Sequence, residues 1–338
     1  MIVVTKRPSL IGLQALRGGC ALVVTCAHLP WLDLPVGGAG VDVFFVISGF
    51  IMMFACRDGM PAAEFLRARF VRIVPFYWLM ILVSAPVWTD PSVGRVIATT
   101  LFWPTQDSRG WWLPAVGQGW TLTYEILFYA GVAVVLPLPA LARAMALTAA
   151  AAALCLVQAV SAPAAFGTLG ISASAFVEFV MGVWLYLIWR TGRLRGCGLS
   201  YCVLGCLAIA MTLAQPAMPW RVIVWGIPAL CIVTGALLLE GRALRLAARL
   251  SLLGDASFSI YLVHPLVIHM FIPLVKPLPL PLALMALVAA CAVVGIVAHY
   301  WVEQPIVAWA GRRVGLPELR RVRQSRRREH SLAVGGAA

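Results

Sequence analysis

The sequence is poor in charge. Of its 338 residues only 12% are Asp, Glu, Lys or Arg, about half the share in a soluble domain. Acidic residues are the scarcest, 13 against 26 basic ones. With so few charges and 62% hydrophobic residues, the chain cannot cover its apolar surface in water. An ordinary soluble domain is therefore excluded. The nine cysteines contain no CxxC pair, and no Cys/His set has zinc spacing; the reading assigns neither a metal nor a disulfide framework. No basic run is interleaved with aromatics, so the formal charge of +13 does not read as a nucleic-acid surface. A cleavable leader also lacks support. Lys6 and Arg7 precede an apolar run, but Arg17 interrupts it and no small-x-small site follows.

What the chain has in abundance is long apolar segments, and its mean hydropathy is +0.93. A membrane-spanning helix needs ~20 mostly apolar residues. Ten segments qualify, near 10–31, 36–56, 73–89, 119–137, 144–161, 170–189, 198–215, 220–239, 256–275 and 280–303. A stretch near 94–104 is too short to span and reads as a re-entrant or interfacial loop. With the N-terminus in the cytoplasm, 21 of the 26 basic residues fall in cytoplasmic segments. They cluster at Arg67, Arg69 and Arg72, at Arg190, Arg193 and Arg195, at Arg242, Arg245 and Arg249, and beyond Arg312. Such asymmetry sets membrane orientation. The expected fold is all-α, a multi-pass protein of about ten transmembrane helices with both termini cytoplasmic. It divides into a membrane domain, 1–311, and a basic cytoplasmic tail, 312–338, read as disordered or lying on anionic lipid. The long outer loop near 90–118 carries Trp103, Trp111 and Trp112, either interfacial anchors or a platform for sugar.

Ionisable residues inside the spans point to function, because each costs ~2.5–3.5 kcal/mol on insertion scales. In "LRGGCALVVTCAH", Arg17 and His28 are eleven residues apart. That is close to a whole number of turns, so both share one helix face, ~16 Å apart along the axis. Asp42 and Glu125 fall at the same outer depth as His28 in two other helices, which suggests one shared polar cavity. A neutral histidine held by a carboxylate, Asp42 or Glu125, is the arrangement of a general base. Arg69 and Arg72, three apart at the cytoplasmic side, read either as orienting charge or as a phosphate site. Ser257, Tyr261, His264 and Ile268 line one face of a further polar helix; His264 reads as a core histidine or a ligand contact. His299, one turn from Glu303, reads as structural.

These residues resemble a known family. "LRGGCALVVTCAH", "GVDVFFVISGFI", "FLRARFVRIVPFYW", "GWTLTYEILFY", "GDASFSIYLVHP" and "VEQP" occur in the order of the membrane acyltransferase 3 family. They look most like its branch that decorates bacterial exopolysaccharides. Gly19 and Cys20 depart from the usual aliphatic residue and alanine, and 138–250 resembles the family mainly by hydropathy. The resemblance implies a multi-pass enzyme of the bacterial cytoplasmic (inner) membrane. It would move an acyl group, the acetyl group first, from acyl-CoA to a hydroxyl of a sugar, polysaccharide or lipid-linked glycan, without a metal. Arg17 and His28 are its signature pair; Arg69 and Arg72 would hold the coenzyme A nucleotide, with Tyr261 and His264 near the substrate. Direct transfer and an acyl-histidine intermediate both fit. The rival classes are a polytopic transporter, since buried charge also marks carriers, and a non-catalytic subunit of a polysaccharide export machine.

Overall fold

The structure is a computed structural model that describes residues 10–32, 37–56, 59–88, 92–108, 110, 112–160, 172–212, 221–240 and 244–316. The expected tail falls beyond residue 316 almost entirely and so lies outside the described residues. Trp111 and the side chains of Arg242, Arg245 and Arg249 lie outside them too.

Every regular element among the described residues is helical. Apolar runs of this length leave backbone groups no water to bond, and a helix satisfies them internally. The chain forms α1 (Ile11–Ala27), α2 (Gly37–Ala55), α3 (Ala62–Ser84), α4 (Val93–Thr100), α5 (Trp120–Val135), α6 (Ala140–Val160) and α7 (Ala173–Arg190). It continues with α8 (Gly198–Met211), α9 (Ile227–Leu238), α10 (Leu244–Asp255), α11 (Ser257–Val275), α12 (Leu280–Ala298) and α13 (Gln304–Arg313). Wider π-turns lead into α9 at Val222–Gly226 and join α12 to α13 at His299–Glu303. Each of the ten expected segments holds a helix. Among the described residues six helices are long and apolar enough to cross a membrane, and α1, α8 and the run Val222–Leu238 are shorter apolar helices.

Two helices depart from expectation. α3 begins at Ala62, behind Pro61 in extended conformation, not at 73. Its first turns, "AAEFLRAR", are strong helix formers; their arginines hid them from a hydropathy reading. Arg67, Arg69 and Arg72 thus ride on the helix itself. α10 was not expected. It packs against α1 through glycine: a methyl group on Gly254 would overlap the Gln14 carbonyl, and one on Gly18 would come within 2.8 Å of the Gly254 amide.

Helices gain little by the hydrophobic effect when the alternative neighbour is lipid, so close packing and polar bonds hold the bundle. α2 and α7 show this at Gly49 and Gly182. A methyl on Gly49 would overlap the Phe179 carbonyl, and one on Gly182 the Val46 carbonyl. Above that contact Phe179 stacks on Phe128, with centroids 4.4 Å apart, and tilts against Phe45 at 4.7 Å. Below, "lower" denotes the end of the bundle where α1 starts and "upper" the end where it stops.

Candidate active site

A cavity of ≈ 160 Å³ opens between α1, α2, α3, α5 and α11. Both Val41 and Met52 of α2 line it, eleven residues apart, so it runs ~16 Å along the bundle. Its lower part is cationic, with Arg17 from α1 and Arg69 and Arg72 from α3. Glu125 and Tyr129 of α5 face them. The Tyr129 hydroxyl donates to Glu125, and Ser48 donates to the same oxygen at 3.4 Å. Arg17 donates to Gln14 at 3.1 Å. The Arg69 guanidinium rests 5.6 Å from the Phe65 centroid, and its Nε is buried without a hydrogen-bond partner.

Arg72 is held from behind. It pairs with Glu303, whose carboxylate is fully buried. The other Glu303 oxygen accepts from Ser259 at 2.6 Å and from His299 Nδ1 at 2.7 Å. Gln304 lies 2.9 Å from His299 Nε2, and a proton on Nδ1 leaves Nε2 to accept from that amide. The π-turn His299–Glu303 brings both groups to one side. A buried carboxylate with three donors is fully compensated. Glu303 therefore fixes where Arg72 points, a role its position in "VEQP" could have suggested.

The upper end of the cavity is closed by Tyr261. Its hydroxyl donates to the Gln118 carbonyl at 2.9 Å and lies 2.9 Å from Thr121 Oγ1. Gln118 in turn donates to the Leu262 carbonyl at 2.6 Å. Beyond Tyr261 stands His264, with ring centroids 5.9 Å apart, and then His28, 4.8 Å further. His28 caps the C-terminus of α1 and is exposed. Its Nδ1 is 2.8 Å from the Val24 carbonyl. A carbonyl only accepts, so Nδ1 carries the proton, and in the neutral imidazole Nε2 is then the nitrogen with the lone pair. His264 repeats the pattern on the Tyr261 carbonyl at 2.7 Å, and its Nε2 is buried without a partner.

The structure does not bring His28, Asp42 and Glu125 together. Glu125 lines the arginine cavity, and the Val24 carbonyl occupies the position on His28 that the sequence reading gave to a carboxylate. Asp42 stands one residue, hence about 100°, round α2 from the cavity-lining Val41, and this turns it toward α7. There it is fully buried and takes Arg221 in a bidentate pair at 3.0 and 2.9 Å. Glu178 of α7, also fully buried, lies 3.7 Å from the same guanidinium. Arg221 is flanked by Trp120 at 5.9 Å and Trp225 at 5.4 Å. Glu178 is legible in the sequence as a lone acid within an expected span, whereas nothing local marks Arg221 as its partner. Among the described residues, no group of three metal-ligating side chains gathers.

The bundle and its arginine cavity can be set beside known proteins. The sequence pattern of the acyltransferase domain family matches residues 10–301, more than four-fifths of the chain. The chain belongs to this acyltransferase family. Among curated relatives, the exopolysaccharide production protein ExoZ of Rhizobium meliloti (strain 1021) is 35% identical over 288 residues, covering 80% of this chain and 90% of the relative. The acyltransferase MdmB of Streptomyces mycarofaciens is 27% identical over 312 residues, covering 79% of this chain and 80% of the relative. No solved structure matches. The family motifs in this acyltransferase converge in space. Arg17, Arg69, Arg72, Glu125 and Tyr261 come from four different helices onto one cavity, and His28 and His264 meet just above it. Acyl transfer needs an anchored donor, a base and an acceptor path, and the first two have candidate residues here.

Proposed function

We propose that the protein moves an acyl group, the acetyl group first, from acyl-CoA to a sugar hydroxyl of an exopolysaccharide or its lipid-linked precursor. The observation that carries this reading is the convergence of Arg17, Arg69 and Arg72 on one elongated cavity closed by Tyr261, beyond which His264 and then His28 stand. The distribution of arginine supports ten crossings with both termini in the cytoplasm, in the bacterial cytoplasmic membrane. The lower end then faces the cytoplasm, where acyl-CoA is found. Arg69 and Arg72 hold the phosphates of its nucleotide, because guanidinium matches phosphate geometry. The pantetheine arm runs up the cavity past Arg17. His28 Nε2 takes the proton of the sugar hydroxyl; the oxygen attacks the thioester carbonyl, the C–S bond breaks, and the thiolate takes up a proton. Tyr261 and, beyond it, His264 lie on this path, and Tyr261 has to turn aside and His264 give way for the thioester to reach His28. Asp42 acts at a distance by fixing Arg221 and the aromatic wall against it. The relatives' names support an enzyme over a transporter: one is an acyltransferase and one is tied to exopolysaccharide production.

Purified protein in lipid nanodiscs, given acetyl-CoA labelled in the acetyl group and a surface-glycan extract, should produce labelled glycan that mild alkali releases as acetate. Label found only as free acetate, or not consumed at all, would overturn the reading. Label kept on the protein before acceptor is added would mark the acyl-histidine route.

A further inference from the structure

A second pocket lies at the upper end, apart from the arginine cavity. Trp103, Trp112, Trp120 and Tyr124 face it, with the hydroxyls of Thr105 and Thr123. Pro104 and Pro114 stiffen its rim. This composition matches one class of ligand. A pyranose ring has apolar C–H faces and a girdle of hydroxyls; aromatic faces cover the first and threonine, tyrosine and indole N–H groups serve the second. No charged side chain is among the described lining residues. A uronate or phosphate entering it would lose water without gaining a counter-charge. We infer that this pocket is a subsite for one neutral pyranose ring of the acceptor glycan. The inference rests on the proposed transferase reading and adds the class of sugar and the place where it docks.

The pocket is built rather than incidental. Arg95 of α4 is buried and donates to the Leu113 and Pro114 carbonyls at 3.0 and 3.2 Å. Thr99, also buried, accepts from the Ala115 amide at 2.8 Å. Phe102 adopts φ 57°, a strained conformation for a residue with a side chain. Its ring stacks on Tyr77 with centroids 4.9 Å apart, which holds the turn that presents Trp103. At the back, Trp120 is fixed by Arg221 on its ring, and Arg221 by Asp42. A pre-ordered wall spares the ligand the entropy of ordering it. Bilayer anchors would point outward, whereas Trp112 and Trp120 are half-buried and line the pocket. Its volume, ≈ 40 Å³, takes roughly three water-sized groups. That admits the edge of one ring and its hydroxyls, the rest lying on Trp103, which is 65% exposed.

Saturation-transfer NMR in nanodiscs tests this directly, because irradiating aromatic protons marks ligand C–H groups stacked on them. The probes are methyl glucopyranosides and galactopyranosides of both anomers, with methyl glucuronoside as the charged counterpart. At least one neutral glycoside should take up saturation on its ring protons, and the glucuronoside should not. Trp112→Ala should weaken that binding at least ~10-fold, the lower range for truncating an aromatic anchor. Trp301→Ala, at a 79% exposed indole far along the chain, should leave it unchanged. Saturation-transfer from no neutral glycoside, equal binding of the glucuronoside, or wild-type binding by Trp112→Ala overturns the subsite. Thr123→Val guards against misfolding: it should weaken the neutral glycoside while acetyl-CoA affinity stays within about twofold. Labelled acetyl transfer is measured on the same preparation. A wild type that transfers acetyl without pocket-dependent sugar binding refutes the subsite alone. Sugar binding without transfer refutes the transferase reading alone.

Discussion

His28 and His264 meet edge to face, 4.8 Å between ring centroids. Each spends its Nδ1 proton on a carbonyl of its own helix, so that in the neutral ring Nε2 is the nitrogen left to accept. His28 is exposed, while His264 is fully buried. In the proposed reaction His28 is therefore the ring that can meet the acceptor, with His264 packed against it.

His28→Ala should insert and fold yet lose transfer by ~10²–10⁴-fold, the usual worth of general-base catalysis. His28→Gln keeps polarity without taking the proton and should lose nearly as much. The check is acyl transfer per mole of inserted protein. Near-wild-type activity in the glutamine variant would remove the base assignment.

Arg69 and Arg72 replaced together by glutamine should raise the KM for acetyl-CoA, since phosphate contacts are lost before the transition state. With acetyl-pantetheine, which lacks the nucleotide, wild type and variant should have similar KM values. A variant with unchanged KM for acetyl-CoA would return these arginines to the role of orienting charge.

Asp42 and Glu178 share Arg221 unequally, and their removal should differ. Asp42→Asn breaks the bidentate pair and should cost about 3 kcal/mol, the lower end for a buried ion pair because the Arg221 side chain is still 28% exposed. Glu178→Gln, at 3.7 Å, should be the milder change. Thermal unfolding of both variants in matched detergent gives the order. A less stable Glu178→Gln would mean that Glu178 is the principal partner.

A reporter active only outside the cytoplasm should be silent when fused after residue 338 and active when inserted near Gly110. An active C-terminal fusion would break the ten-crossing topology.

Hydropathy and arginine placement made the helices legible, because lipid imposes one demand on every crossing segment and that demand is local. α3 escaped in its first three turns, where helix propensity and charge disagree, and α10 escaped because it is not apolar enough to stand out. Motif spacing singled out Arg17, Arg69, Arg72, Glu125 and Tyr261 one by one, but placed Glu125 with His28 and Asp42; only the packing of the helices brings the five to one cavity. Depth alone misled at Asp42: it fixes how far along a helix a residue sits, whereas its partner depends on which neighbour that face meets. Glu178 and Glu303 stand out in the sequence, but which partners they and Arg221 meet depends on contacts between helices far apart in sequence, which no local pattern encodes.

The bonds from Tyr261 to Gln118 and Thr121 make a bulkhead between the arginine cavity and the side on which His28 stands. If the cavity holds the thioester as proposed, the bulkhead keeps it from the base His28 and from water that this base could activate, so idle enzyme should waste little donor. Tyr261→Ala would leave an open seam. With acetyl-CoA and no acceptor, that variant should release free acetate faster than the wild type, turning a transferase into a slow thioesterase.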